Sequence, residues 1–218
     1  QATIDLRNLE EISERLSIPL SEVSRQPIHQ FSGSTFDGLQ DSVQLEITKF
    51  SITLVIECRN YVSIDPYLDF INKLVLSLLS TDAFIRIERI GIRKFDGFQF
   101  DNWDDLELNL NSSIIGSLND LIKDTALLRE YTDSWYWEQF RSKINFTRKI
   151  RNVQLVSEKH VYQVILDMDA YTDDEILRIP DTINPDFLKG ETLRLNEAIF
   201  EIFKNSITER YISSHAKE

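Results

Sequence analysis

The chain has 218 residues, 42% of them apolar and 28% charged, so it has enough length and apolar content to bury a sizeable core in one large domain or two small ones. Its 36 acidic against 24 basic residues leave a formal charge of −12, which opposes general affinity for nucleic acid or anionic membrane, because both depend on positive surface. A single cysteine, Cys58, excludes an internal disulfide and a cysteine-based zinc site, and no apolar run approaches the ~18 residues of a membrane span.

In chain order, residues 1–30 read as a charged helix and a linker. NLEEISERL at 8–16 puts Leu9, Ile12 and Leu16 on one helical face, and Pro19 and Pro27 then break regularity. His29 has no partner at metal-ligand spacing and reads as a satisfied or exposed histidine. Residues 31–41 are loop-like. Gly33 and Gly38 could cradle a phosphate, but no GK[ST] follows, and Asp37-Gly38 is turn chemistry. Val43, Leu45 and Ile47 alternate, as do Phe50, Ile52, Leu54 and Ile56 with the opposite parity, which predicts a hairpin turning at Thr48-Lys49. Cys58 at its end is expected to be a small buried hydrophobe. A helix over 65–79 follows, with Asp65 as N-cap and Pro66 at the first helical position. Its broad apolar face, including Tyr67, Phe70, Ile71, Leu74 and Val75, calls for a sheet beneath it.

AFIRIERIGIRKF at 83–95 is dense in β-branched residues and predicts a long strand through the middle of a sheet. Its apolar parity switches near Glu88 and Arg89, as at a bulge, and Gly91 fits close approach of a neighbouring backbone. Leu106, Leu108 and Leu110 alternate like a strand, and 114–130 reads as a helix. Trp135-Tyr136-Trp137 is the most aromatic spot; on a strand the tryptophans would face the core and Tyr136 would point outward. Two strands, 140–155 and 160–171, precede a long helix at 191–210. The expected fold is α+β: one domain, 1–218, with a mostly antiparallel sheet and two main helices, 66–79 and 191–210, packed on one face. The halves 42–131 and 132–212 hint at a duplicated β-β-α unit.

The Arg-Ile-Gly-Ile-Arg run (89–93), the preceding Pro66-Tyr67 helix and the following Trp103-Asp104-Asp105 turn form a pattern. It is joined by the 43–58 hairpin, the strand LDMDAY (166–171) and a last helix holding Phe200 and ending in Ile207-Thr208. Together these segments resemble a sporadically distributed family of bacterial proteins of unknown function. That family's strand continues with Tyr and then Asn, where Lys94, Phe95 and Asp96 stand here. The resemblance implies a fold and a bacterial cytoplasmic setting, and it brings no catalytic residues. The absence of a visible signal peptide agrees with the cytoplasmic expectation, and an opening Gln1 in place of Met points to leading residues that are missing.

Site chemistry is sparse. Asp101, Asp104, Asp105 and Glu107 could hold calcium or magnesium, but they lack EF-hand spacing and equally make a solvated acidic turn. There is no Gly-x-Ser-x-Gly elbow, and His29, His160 and His215 are scattered. Arg141, Lys143, Lys149 and Arg151 share one strand parity while Ile144, Phe146 and Ile150 take the other; with Arg89, Arg93 and Tyr136 they are the candidate binding residues. The blander account takes 157–159 as a three-residue turn, so that Lys149 faces Asp167 and Thr147 faces Asp169 as cross-strand pairs. Asp167 and Asp169 are also weak metal candidates, with His160 on the opposite face from them. The leading expectation is a non-enzymatic protein–protein interaction module without cofactor or metal, in a defence or toxin-control setting. The alternative is nucleic-acid or nucleotide binding through the basic strand face, and a metal-dependent enzyme at Asp167 and Asp169 with Asp101 or Asp104 comes third. The expected partner is another protein or a second copy of the chain, with no membrane.

Overall fold

The computed structural model describes residues 29–33, 42–48, 51–57, 63–81, 89–115, 128–139, 141–155, 159–172 and 184–215. The expected helix at 8–16 and its linker, the Asp37-Gly38 turn, Cys58, the start of the 83–95 strand and most of the 114–130 helix lie outside them. The fold is α+β with antiparallel sheets, as expected, but the strands form two sheets where one was expected, of three and four strands. Two units divide the chain, 1–71 and 72–218. Among the described residues no helix is long and apolar enough to cross a membrane.

The first unit holds β1 (His29–Gly33), β2 (Ser42–Ile47) and β3 (Ile52–Glu57), paired in that order. The predicted hairpin is β2–β3, with Val43 facing Ile56 and Leu45 facing Leu54. Its turn is tied by Thr48 and Ser51: their hydroxyls lie 2.8 Å apart, and the Thr48 amide donates to the Ser51 carbonyl at 2.9 Å. Residues 31–33, expected in a loop, instead continue a strand along β2, Phe31 facing Leu45. Pairing with the apolar β2 outweighs the weak strand propensity of Ser32 and Gly33. Helix α1 (Asp65–Thr81) starts at its predicted cap, one residue earlier than expected. The Ile64 carbonyl takes the amides of Tyr67 and Leu68, both at 3.1 Å, so Ile64 holds the cap position and Asp65 is already helical.

The sheet of the second unit runs β4 (Ile90–Phe100), β7 (His160–Thr172), β6 (Ser142–Gln154), β5 (Glu130–Gln139). Among the described strands the isoleucine-rich one expected in the middle is therefore an edge, and β6 and β7, which alternate without glycine or proline, are central. An edge tolerates Gly91 and Gly97, which would weaken the interior of a central strand. Gly91 does meet a close neighbour: a Cβ there would lie 3.3 Å from Tyr171 Cβ.

Residues 106–110 are not a strand. Residues 106–109 belong to helix α2 (Trp103–Asn109) and Leu110 is its extended C-cap, because Asn102 caps the start, its side-chain oxygen accepting the Asp105 amide at 2.8 Å, and Asp104 and Asp105 sit favourably in the first turn. Leu106 and Leu110, four apart, are buried while Leu108 is exposed, a helical pattern hidden inside an alternating one. Glu130, expected to end a helix, opens β5. The last long helix, α3 (Pro185–Ser206), starts six residues before the predicted Glu191, on an Asn184 cap with Pro185 at its first turn. It stops at Ser206 because Ile207 bridges back to Leu110 and Asn111 donates its side-chain amide to the Asn205 and Ile207 carbonyls. Helix α4 (Glu209–His215) then begins afresh. Leu195 and Ile199 of α3 pack with Phe98, Val164, Leu166, Met168 and Ala170 to make the core between α3 and the sheet.

Candidate functional site

Strand alternation sorts the four-stranded sheet into two faces. Even-numbered residues of β4, β6 and β7 lie with odd-numbered residues of β5 toward α3, and the converse set forms an open face whose residues, buried Val161 apart, are exposed or half-buried. The predicted parity of Arg141, Lys143, Lys149 and Arg151 against Ile144, Phe146 and Ile150 is what the structure has. Lys143, Lys149, Arg151, Arg89, Arg93 and Tyr136 all fall on the open face, with Arg141 at its rim. Arg141 sits in the turn before β6 at φ 68°.

The pairing across that face differs from the expected one. Gln154 faces His160 and Thr147 faces Asp167, so the register is two residues from that predicted; Leu155 to Lys159 make a longer connection, closed by the Leu155 amide on the Lys159 carbonyl at 2.8 Å. A two-residue shift keeps every side chain on its face but changes every partner. Lys149 now faces Ile165 and pairs with Glu130 of β5 at 2.9 Å. Arg151 donates to Gln163 at 3.0 Å.

Asp167 and Asp169 are taken by β4. Arg93 donates from Nε and Nη2 to Asp167 at 2.8 and 2.6 Å, a two-pronged contact, and Arg89 Nη2 reaches both oxygens of Asp169 at 3.0 and 3.3 Å. Each guanidinium also lies over a ring, Arg89 on Tyr171 at 3.8 Å and Arg93 on Phe95 at 4.7 Å. The side chain missing at Gly91, directly opposite Tyr171, leaves the room for Arg89 to fold down. The Asp167 hydrogen bonds raise the Arg93 pKa above its ordinary value against the opposing effect of partial burial. Nearer β5, Tyr136 donates to Glu138 at 2.7 Å, which raises its phenol pKa, and the Ser134 and Thr147 hydroxyls meet at 2.8 Å.

No metal-ligand group of three His, Cys, Asp or Glu side chains forms among the described residues. In the acidic turn Asp101 pairs with Lys159 at 2.8 Å, the Asp105 carboxylate accepts from Asn109 at 3.0 Å and Glu107 accepts from the Trp103 indole at 2.8 Å. His160 lies 3.1 Å from Asn152 and on the opposite face from Asp167 and Asp169.

The face toward α3 holds a pair that sequence reasoning missed. Arg148 sits in the apolar row Ile144, Phe146, Ile150 and is 0% exposed. It binds Asp133 of β5 through Nε at 2.9 Å and through Nη2, and lies between Tyr131 (5.4 Å) and Trp135 (5.1 Å). Its Nη1 has no hydrogen-bond partner among the described residues. The signal was present: an arginine at a core parity of β6 requires a carboxylate across the strand, and Asp133 shares the tryptophans' parity. Trp135 stacks on Phe146 at 5.2 Å yet remains 40% exposed, and Tyr136 on the other face is 54% exposed.

The open face thus offers Arg89, Arg93 and Lys149 joined to carboxylates and Arg151 joined to Gln163, flanked by Phe95, Tyr136 and Tyr171. A comparison with protein-family models, curated proteins and solved structures gives no match to this chain.

Proposed function

We propose that the chain is a protein–protein interaction module working through the open face of its four-stranded sheet. The observation that carries the reading is the pairing of Arg93 with Asp167 and Arg89 with Asp169. Nucleic-acid binding draws on free cations that displace the counterions of the phosphates, and here each guanidinium is already engaged by a carboxylate and a ring. The same residues suit a protein partner: arginine and aromatic side chains are what protein interfaces concentrate, and Phe95 (63% exposed) and Tyr136 flank them. A place in defence or toxin control rests on the sequence resemblance alone.

The test is capture of a tagged full chain from its host at low salt, beside a Phe95→Ala, Tyr136→Ala variant of matched thermal stability. A stoichiometric protein partner that the variant loses supports the reading. A nucleic-acid-like absorbance ratio that disappears in high salt, and that a Lys149→Glu, Arg151→Glu variant abolishes, overturns it in favour of nucleic-acid binding.

A further inference from the structure

The two edges of the four-stranded sheet are protected unequally. β4 carries Arg93, Lys94 and two glycines, the devices by which natural sheets blunt an edge. β5, EYTDSWYWEQ, carries no lysine, arginine, proline or glycine over its 10 residues. It is regular throughout, in unbroken register with β6 from Glu130 opposite Arg151 to Gln139 opposite Ser142, so no bulge twists its outer edge away. Among the described residues no strand pairs with that edge. It also bears exposed aromatic residues on both sides of the sheet, Trp135 toward α3 and Tyr136 on the open face. An added strand would find main-chain hydrogen bonds along its length and a ring above and below.

Charge selects the occupant. Glu130, Asp133 and Glu138 are the charged residues of β5. The cations beside them, Lys149 on Glu130, Arg148 on Asp133 and Lys143 opposite Glu138, stand on β6, one strand inward. An incoming strand lies ~4.8 Å from β5 and twice that from β6, so it meets the acids first. A second copy of the chain would bring its own three acids and a further charge of −12 to the same edge. Lysine or arginine side chains on alternate positions would instead reach Glu130 and Glu138 at the two ends of the open face and lie over Tyr136 between them.

We infer that the outer edge of β5 is a strand-addition site for an extended, basic segment of a partner protein. The inference rests on the interaction reading above and names the chemistry of the partner. The test selects random peptides of about ten residues, the length of a strand, on the immobilised full chain. Binding is then measured with wild type, Ser134→Lys, Ser134→Thr and Phe95→Ala, all checked for unchanged thermal midpoints. Ser134 is exposed at the centre of β5, so lysine there adds the missing gatekeeper and repels a basic strand. The inference expects selected peptides with lysine or arginine at alternate positions, which weaken about tenfold or more with Ser134→Lys and keep their affinity with Ser134→Thr. Peptides lost with Phe95→Ala but indifferent to Ser134→Lys would overturn the edge site while leaving the interaction reading standing. Enrichment of non-basic peptides, no enrichment at all, or a dimer in sedimentation that Ser134→Lys dissociates would each overturn the basic-strand assignment.

Discussion

The four-stranded sheet places arginine–aspartate pairs on both of its faces, and the two sets differ in where their charge stands. On the open face Arg93 and Arg89 keep 57% and 55% of their side-chain surface in water, and their acids are on a neighbouring strand. On the face toward α3, Arg148 has lost all contact with solvent and depends on Asp133 for two of its donors. Coulomb's law treats the pairs alike; solvent does not. A solvated ion pair adds little, because water and salt screen it, whereas a buried cation stripped of its carboxylate has nothing to replace what it lost. The same residue types therefore make an adjustable surface on one side and a structural linchpin on the other.

The largest expected effect breaks the buried pair. Asp133→Ala leaves Arg148 charged and unpaired, and urea unfolding is expected to show a loss of about 3–5 kcal/mol. Adding Arg148→Met should recover much of that loss, since a pair replaced by apolar side chains no longer strands a charge. A double variant worse than Asp133→Ala alone would mean that Arg148 stabilises through its ring contacts. Next comes the layer that buries this face: Ile199→Ala in α3 opens a cavity against Val164 and Leu166 and is expected to remove about 2–5 kcal/mol.

A smaller effect concerns Asp96, on the α3 side of β4, whose pKa burial raises against the opposing pull of Lys94. A carboxyl with a raised pKa favours the protonated folded state. Its contribution is present below the unfolded value of about 3.9 and is lost as pH rises through the folded value. Asp96→Asn should therefore gain on wild type as pH climbs from 3 toward neutrality, read as the difference between their urea midpoints; a constant difference would contradict the assignment. The smallest effect is on the open face, where a double-mutant cycle of Arg93→Ala and Asp167→Ala should return about 0.2–1 kcal/mol and shrink with salt.

Much of this contrast was readable from the residues. The alternation from 142 to 154 separates the two faces, because a buried sheet face must be apolar every second residue. Register was not readable: parity is the same for any two-residue shift, and the length of the 155–159 connection depends on local turn geometry. That shift decides which β6 residue faces Asp167, Thr147 in place of Lys149, so the face could be drawn from sequence but not its pairing. Position within the sheet was equally hidden, since isoleucine-rich β4 reads as central and its edge status follows from which strands meet β7. Residues 106–110 misled because leucines at two-residue spacing also satisfy a four-residue spacing, and the Asn102 cap decides between them. Arg148 was overlooked because its parity, not its charge, carries the information.

The central claim is that the arginines of the open face are held by the acids of β7 and are therefore withheld from phosphate. Titrating a fluorescent single-stranded oligonucleotide at low salt with wild type and with an Asp167→Asn, Asp169→Asn variant tests this directly. The account predicts no binding by wild type and salt-sensitive binding by the variant, whose Arg89 and Arg93 are released. Binding by wild type that the variant does not improve would contradict it.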